Sequence, residues 1–222
     1  MANDIEIQKP NLVQLQPEKN FFQQYGEQVV RNNIIGQLLK FAKGDWSVGR
    51  DATPIAIGTK LAVNMDAFQI GWIKWGNNKV EEELMGQSIP PKRATLGDLD
   101  ESLWELNTDG TPRDPWQFSN RLVLKMPGEH YNPDDAFTFY TSSQGGIRAC
   151  GELAAAYGNR LALDDTCNPI IELGVDSYMH PNKTLGRVKI PLLPIVGWED
   201  KALFTEIVPE PESPKAAKGK RR

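Results

Sequence analysis

Ala136-Phe137-Thr138-Phe139-Tyr140-Thr141-Ser142-Ser143-Gln144-Gly145-Gly146-Ile147-Arg148-Ala149-Cys150-Gly151-Glu152-Leu153 is the stretch that decides the fold. Residues 137–141 are aromatic or β-branched, which suits a half-buried strand. Ser142 or Ser143 then offers a side-chain oxygen to the unpaired amides of a helix start. Beyond the cap, Ile147, Cys150, Leu153, Ala154 and Tyr157 recur at short helical spacing and form one apolar stripe. Gly158-Asn159 predicts the end of this helix in a left-handed cap.

Strand signals flank the helix on both sides. Upstream, Pro54–Met65 shows partial alternation, and Ala67–Trp75 is rich in aromatic and β-branched residues. Gly76-Asn77-Asn78 makes a turn, Lys79–Met85 returns, and Asn120–Met126 is a further strand. Downstream come Pro169–Val175 and Gly186–Val196, where Pro191 and Pro194 remove two backbone donors and point to a sheet edge or a bulge. Between Lys79–Met85 and Asn120–Met126, residues 86–117 are irregular, with Pro90-Pro91, Asp109-Gly110 and Pro112. A loop that long inside a domain is usually functional or mobile.

The order strand–strand–strand–helix–strand–strand is that of an OB-type barrel. With one or two extra strands before the helix, the expectation is a mainly β chain built as an OB-like or other small elaborated β-barrel. Residues 1–19 read as a loose arm. From Asn20 to Lys43, Phe21, Phe22, Tyr25, Val29, Ile34, Leu38 and Phe41 predict a helical segment, interrupted by Gly26 and Gly36 at about 1 kcal/mol each. Its stripe needs a partner, either the body or a second copy, so residues 20–43 are the expected route to a homo-oligomer. After Val208, Pro-Glu-Pro-Glu-Ser-Pro and a Lys/Ala/Arg run cannot bury a core and read as a disordered charged tail. The expected divisions are 1–43, 44–205 and 206–222.

Composition narrows the function classes. With 40% hydrophobic and 24% charged residues, the chain has enough apolar material for a core. No apolar run is long enough to span a bilayer, and the first residues carry no secretory signal, so a cytoplasmic protein with no membrane partner is expected. Cys150 and Cys167 are then expected to be reduced. The net charge is −4, and residues 206–222 hold three acids against five bases, which leaves −6 on the remainder. Such a body is no general polyanion binder, and a nucleic-acid site on it has to be a local patch.

Four strings carry a resemblance. Asp114-Pro115-Trp116-Gln117-Phe118-Ser119-Asn120, Thr141-Ser142-Ser143-Gln144-Gly145-Gly146, Gly151-Glu152-Leu153 with Ala156-Tyr157-Gly158, and Val196-Gly197-Trp198 together resemble a group of uncharacterised bacteriophage and prophage proteins. The likeness covers roughly residues 44–200. It implies a phage or prophage origin, and so the host bacterial cytoplasm, but no settled activity and no functional residues.

Candidate chemistry is sparse. His130, His180, Cys150 and Cys167 lack the short ligand spacings of zinc sites. Asp134-Asp135 and Asp164-Asp165 could hold Mg²⁺ in a nuclease, although paired Asp residues are commoner as turn tips. The Ser/Gly run at 141–146 could cradle a phosphate with help from Arg148, yet it is neither a P-loop nor a nucleophile elbow, and an ordinary capped helix explains it. No cofactor and no catalytic residue is expected.

The aromatic and basic strand positions are more informative. The chain has six tryptophans. Trp72 and Lys74 share a side of their strand, with Ile73 and Trp75 on the other; Arg121 alternates with Leu122 and Lys125 with Leu124; Arg187 and Lys189 alternate with Val188 and Ile190. Rings that stack on bases and cations that track phosphates are what single strands need. The expected site is Trp72, Lys74, Trp75, Arg121, Lys125, Tyr140, Arg187 and Lys189, all but Trp75 on one face. The expected function is single-stranded DNA binding in replication or recombination, without chemistry of its own. The rivals are a virion or assembly component and a Mg²⁺-dependent nuclease.

Overall fold

The computed structural model describes residues 34–205, apart from 78, 108–109, 182 and 184–185. Strands β1 (Gln37–Ala42) and β2 (Asp45–Val48) form a hairpin. Its turn residues Lys43 and Gly44 have φ of 55° and 97°. Two successive positive φ values are what a primed two-residue turn requires. β3 (Thr53–Ile55), β4 (Lys60–Gly76) and β5 (Lys79–Gly86) follow. An excursion with two 3-10 turns and the short strands β6 (Glu105–Leu106) and β7 (Pro112–Arg113) leads to β8 (Trp116–Lys125) and β9 (Phe137–Thr141). Helix α1 (Gln144–Leu161) comes next, then β10 (Cys167–Glu172), β11 (Gly174–Met179), β12 (Arg187–Leu192) and β13 (Ile195–Asp200).

The two stretches expected as separate strands, 54–65 and 67–75, are largely one strand. β4 runs for 17 residues, with its pairing to β8 interrupted between Asn64 and Gln69. Its first half pairs with β10 and its second half with β5, while β8 lies along both. The large sheet runs β13-β10-β4-β8-β9-β1-β2-β3, with β5 beside β4. It is mixed, because β1 and β9 are parallel while the other pairs are antiparallel.

The chain is therefore mainly β with one described helix, but the sheet does not close into a barrel. Closing the ring would bring the last strand, β13, onto β9. That edge of β9 is occupied by β1 instead. β1 also corrects the helical reading of residues 20–43, since Leu38 and Phe41 lie in a strand. Gly36 is the cause. Its φ is +64°, and a Cβ there would stand 2.0 Å from the Ala136 carbonyl oxygen. The chain therefore turns at Gly36 and enters the sheet, where Gln37 N–H donates to Ala136 O at 2.8 Å. Residues 20–33 of the expected stripe, and the oligomer contact assigned to it, lie outside the described residues.

α1 packs across one face of the sheet. Ala149, Cys150, Leu153 and Tyr157 meet Leu39, Trp46, Leu61, Val63, Leu122, Leu124, Phe139 and Ile171 in a single core. Ser143 caps the helix, its hydroxyl accepting from Gly146 N–H at 3.1 Å. The two glycines of the run at 141–146 are there for lack of room: a Cβ on Gly145 would lie 2.5 Å from Ile190 Cγ2, and one on Gly146 2.0 Å from Thr141 Oγ1. The helix does not stop at Gly158 as predicted. It continues to Leu161, where Arg160 pairs with Asp164 at 2.8 Å and lies over the Trp198 ring, which holds the extra turn.

Cys150 is enclosed by this core, and burial pushes its thiol pKa up to about 12. Cys167, half-buried in β10, is also a free thiol. Only the thiolate is an efficient nucleophile. Alkylation of the native protein at pH 8 is therefore expected to label Cys167 and spare Cys150 until denaturant is added. Mass spectrometry of the peptides checks this, and equal labelling of both would contradict the packing of α1.

Candidate nucleic-acid interface

The ladder between β4 and β8 separates the expected site residues. Trp72 pairs with Phe118 and Lys74 with Trp116, whereas Gln69 pairs with Arg121, which in turn pairs with Tyr140. Paired residues share a face and successive residues alternate. Trp72 and Lys74 consequently lie on one side of the sheet, and Arg121, Lys125 and Tyr140 on the other. The single face expected from the sequence does not form.

Most of these side chains are also engaged within the fold. Arg121 is 6% exposed, pairs with Glu83 and donates to Gln69 Oε1 at 2.7 Å. Lys125 is 3% exposed and pairs with Glu199, and the Phe204 ring lies 4.6 Å from its ammonium. Lys74 pairs with Asp98 at 3.1 Å and with Glu81 at 3.9 Å. Its hydrogen bond to Asp98 raises its pKa above the ordinary lysine value. The Trp72 indole donates to Pro91 O at 2.8 Å and meets Phe118 edge-on. Tyr140 donates to Ser119 Oγ at 2.6 Å, and burial raises its phenol pKa. Trp75 has a buried Nε1 for which no described residue is an acceptor.

Arg187 and Lys189 are placed differently. Both are exposed on the β11–β12 hairpin, opposite Met179 and Ser177, so they share its face. Arg187 donates to Ser177 Oγ at 3.0 Å. The Lys189 stem lies so close to Gly44 that a Cβ there would stand 2.0 Å from Cδ. This contact brings the hairpin to the β1–β2 turn and its exposed Lys43. Among the described residues none of Lys43, Arg187 and Lys189 makes an ion pair. The base of the hairpin is fixed by the buried Trp46, whose Nε1 donates to Gly174 O at 3.0 Å.

Near the tip, the exposed Tyr178 lies with its ring centroid 6.2 Å from that of His180. Between the hairpin and α1 runs a cleft of about 360 Å³ lined by Arg148, Glu152, Asp176, Tyr178 and Ile190. Lys43, Tyr178 and His180 were not among the expected site residues. The signals were present in Lys43-Gly44-Asp45, a turn sequence, and in Asp176-Ser177-Tyr178, which continues the strand pattern beyond Val175. No family model, curated protein or solved structure matches this chain.

The other expected chemistry is used locally. Asn132 donates to Asp135 Oδ2 at 2.7 Å and accepts from Asp134 N–H at 3.1 Å, which makes a self-bonded turn. Asp164 accepts from the Thr166 hydroxyl at 2.6 Å and from its amide at 3.0 Å. Those bonds, with the hydroxyl foremost, hold the Asp164 carboxyl at a pKa of about 2. Among the described residues no three His, Cys, Asp or Glu side chains are grouped to hold a metal ion. No described helix is long and apolar enough to cross a membrane.

Proposed function

We propose that the chain binds single-stranded DNA through the β11–β12 hairpin and the adjoining β1–β2 turn, carried on an open OB-like sheet. One observation carries the reading: Lys43, Arg187 and Lys189, exposed and without ion partners among the described residues, belong to two touching elements, Arg187 and Lys189 on one face of the hairpin and Tyr178 on its other face, towards α1. Elsewhere the cations of the expected site are neutralised by carboxylates, in keeping with a body of net negative charge. The position of α1 between β9 and β10, and of β10 antiparallel to β4, is the strand order expected of an OB-like scaffold, whose loops and sheet face are common places for oligonucleotides. The cations follow the phosphates, and bases reach the Tyr178 ring by turning over the edge of the hairpin, which the paired bases of duplex DNA cannot do, so duplex DNA competes poorly.

Substitutions separate this site from the one expected on β4 and β8. Tyr178→Ala should weaken binding to oligo-dT roughly fivefold to a hundredfold while leaving its salt dependence unchanged. Lys189→Ala or Arg187→Ala should flatten the slope of log K against log salt by about 0.7 each. Lys74→Ala should leave that slope unchanged, because Asp98 already neutralises the ammonium. Fluorescence anisotropy with a labelled oligonucleotide reads all four variants. A flattened slope in Lys74→Ala with none in Lys189→Ala would move the site to β4.

A further inference from the structure

The cleft between α1 and the β11–β12 hairpin is opposite in charge to the hairpin's cationic face. Asp176 pairs with Ile190 and Tyr178 with Val188, so these four side chains share the face turned to α1, where Ile190 packs on Gly145. The volume of about 360 Å³ is within the range of small-ligand pockets. Two carboxylates, Glu152 and Asp176, line it against one cation, Arg148, which leaves a net charge of −1. Arg148 is already held. Its Nε donates to Glu152 Oε1 at 2.8 Å, and that hydrogen bond, with the Asp176 charge nearby, raises its pKa. Asp176 makes no ion pair among the described residues, and its Oδ1 accepts from Ser177 N–H at 2.7 Å. Acceptors are thus in excess, and a phosphate is disfavoured in this cleft.

Given a strand whose phosphates follow Lys43, Arg187 and Lys189, the reading on which this assignment rests, we propose that the cleft takes one base of that strand and selects a base with an exocyclic amine, cytosine over thymine or uracil. The Tyr178 ring, 43% exposed, gives the base a surface to stack on, and Ile190 and Leu192 add apolar lining. Stacking of this kind does not tell one pyrimidine from another. The carboxylates do. A carboxylate accepts from the cytosine amine, and that amine has two hydrogens for the two carboxylates of the lining. Thymine and uracil carry a carbonyl oxygen at the same ring position, which a carboxylate repels, and offer a single ring N–H. Charge therefore sorts the strand across the hairpin, with its backbone on the cationic face and an amino-bearing base in the acidic cleft.

Anisotropy titrations of the full chain with labelled oligo-dC and oligo-dU of equal length, at neutral pH, test this. The two share backbone and ring size and differ only at ring position 4 and the N3 proton. Oligo-dC should bind about fivefold tighter or more. In the double variant Glu152→Gln with Asp176→Asn the ratio of the two affinities should fall close to one, because a side-chain amide can accept from an amine or donate to a carbonyl. The amides keep acceptors for Arg148 Nε and Ser177 N–H, so the circular dichroism spectrum should be unchanged. Removing two negative charges strengthens the binding of both oligonucleotides alike, an effect that cancels in the ratio. Equal or weaker binding of oligo-dC by the unmodified protein, or the same ratio in the variant, overturns the assignment and leaves the hairpin reading intact. No binding of either oligonucleotide overturns the hairpin reading and this assignment with it.

Discussion

Glu199→Ala is expected to destabilise the fold by about 3–5 kcal/mol. The loss comes from the charge left behind. Lys125 is inside the protein, its ammonium held by the Glu199 carboxylate, with the Phe204 ring over it and the Met126 carbonyl beside it. Glu199 also accepts from Gly128 N–H at 2.9 Å, so its removal leaves both a cation and a backbone donor without their acceptor. Replacing both partners should recover much of the loss. Lys125→Met with Glu199→Gln removes both charges, and so the desolvation of two ions, while the Gln carbonyl keeps an acceptor for Gly128 N–H. Urea unfolding measures the series. A loss below about 1 kcal/mol for Glu199→Ala would mean that Lys125 reaches water and that the pair has the modest worth of a surface ion pair.

Trp46→Ala is the other large change, expected to cost about 3–5 kcal/mol, or roughly 6–20 °C in Tm. Trp46 is 2% exposed, its ring centroid 5.0 Å from that of Phe41 and 5.3 Å from that of Phe139. Truncation opens a cavity between β1, β2 and β9, and the Gly174 carbonyl loses its donor. Trp46→Phe should keep most of the packing and cost about 1–2 kcal/mol, the hydrogen bond plus the smaller ring. Because Trp46 ties the base of the β11–β12 hairpin to β2, Trp46→Ala should also weaken oligonucleotide binding at temperatures where the protein remains folded. Thermal melts followed by anisotropy at low temperature separate the two effects. Undiminished binding in a fully folded Trp46→Ala protein would show that the hairpin needs no such anchor.

How far these features can be read from the sequence depends on whether the deciding interaction is local. The cap at Ser143 and the spacing of Cys150, Leu153 and Tyr157 are local, and α1 is found where they place it. Its last turn rests on the Trp198 ring, which is remote in sequence, and so goes unread. β1 is misassigned because Leu38 and Phe41 fit a helical interval while Leu39 and Phe41 equally fit a strand; the clash at Gly36 with Ala136 decides, and no local pattern contains it. The same limit governs the site. Alternation within β4 and within β8 is legible, but which side of one matches which side of the other depends on the register Gln69↔Arg121. Lys125 looks available until Glu199, 74 residues away, neutralises it. Arg187 and Lys189 remain exposed, and their neighbour Lys43 is brought to them by a contact between two hairpins.

The central claim concerns the hairpin, and titration with a labelled thirty-nucleotide oligo-dT over a salt series tests it most directly. Three phosphate contacts from Lys43, Arg187 and Lys189 should give a slope of log K against log salt near −2. The triple replacement of these residues by Ala should bring the slope close to zero and leave only weak binding through Tyr178 and His180. No binding of oligo-dT to the unmodified protein at low salt, or an unchanged slope in the triple variant, would contradict the account.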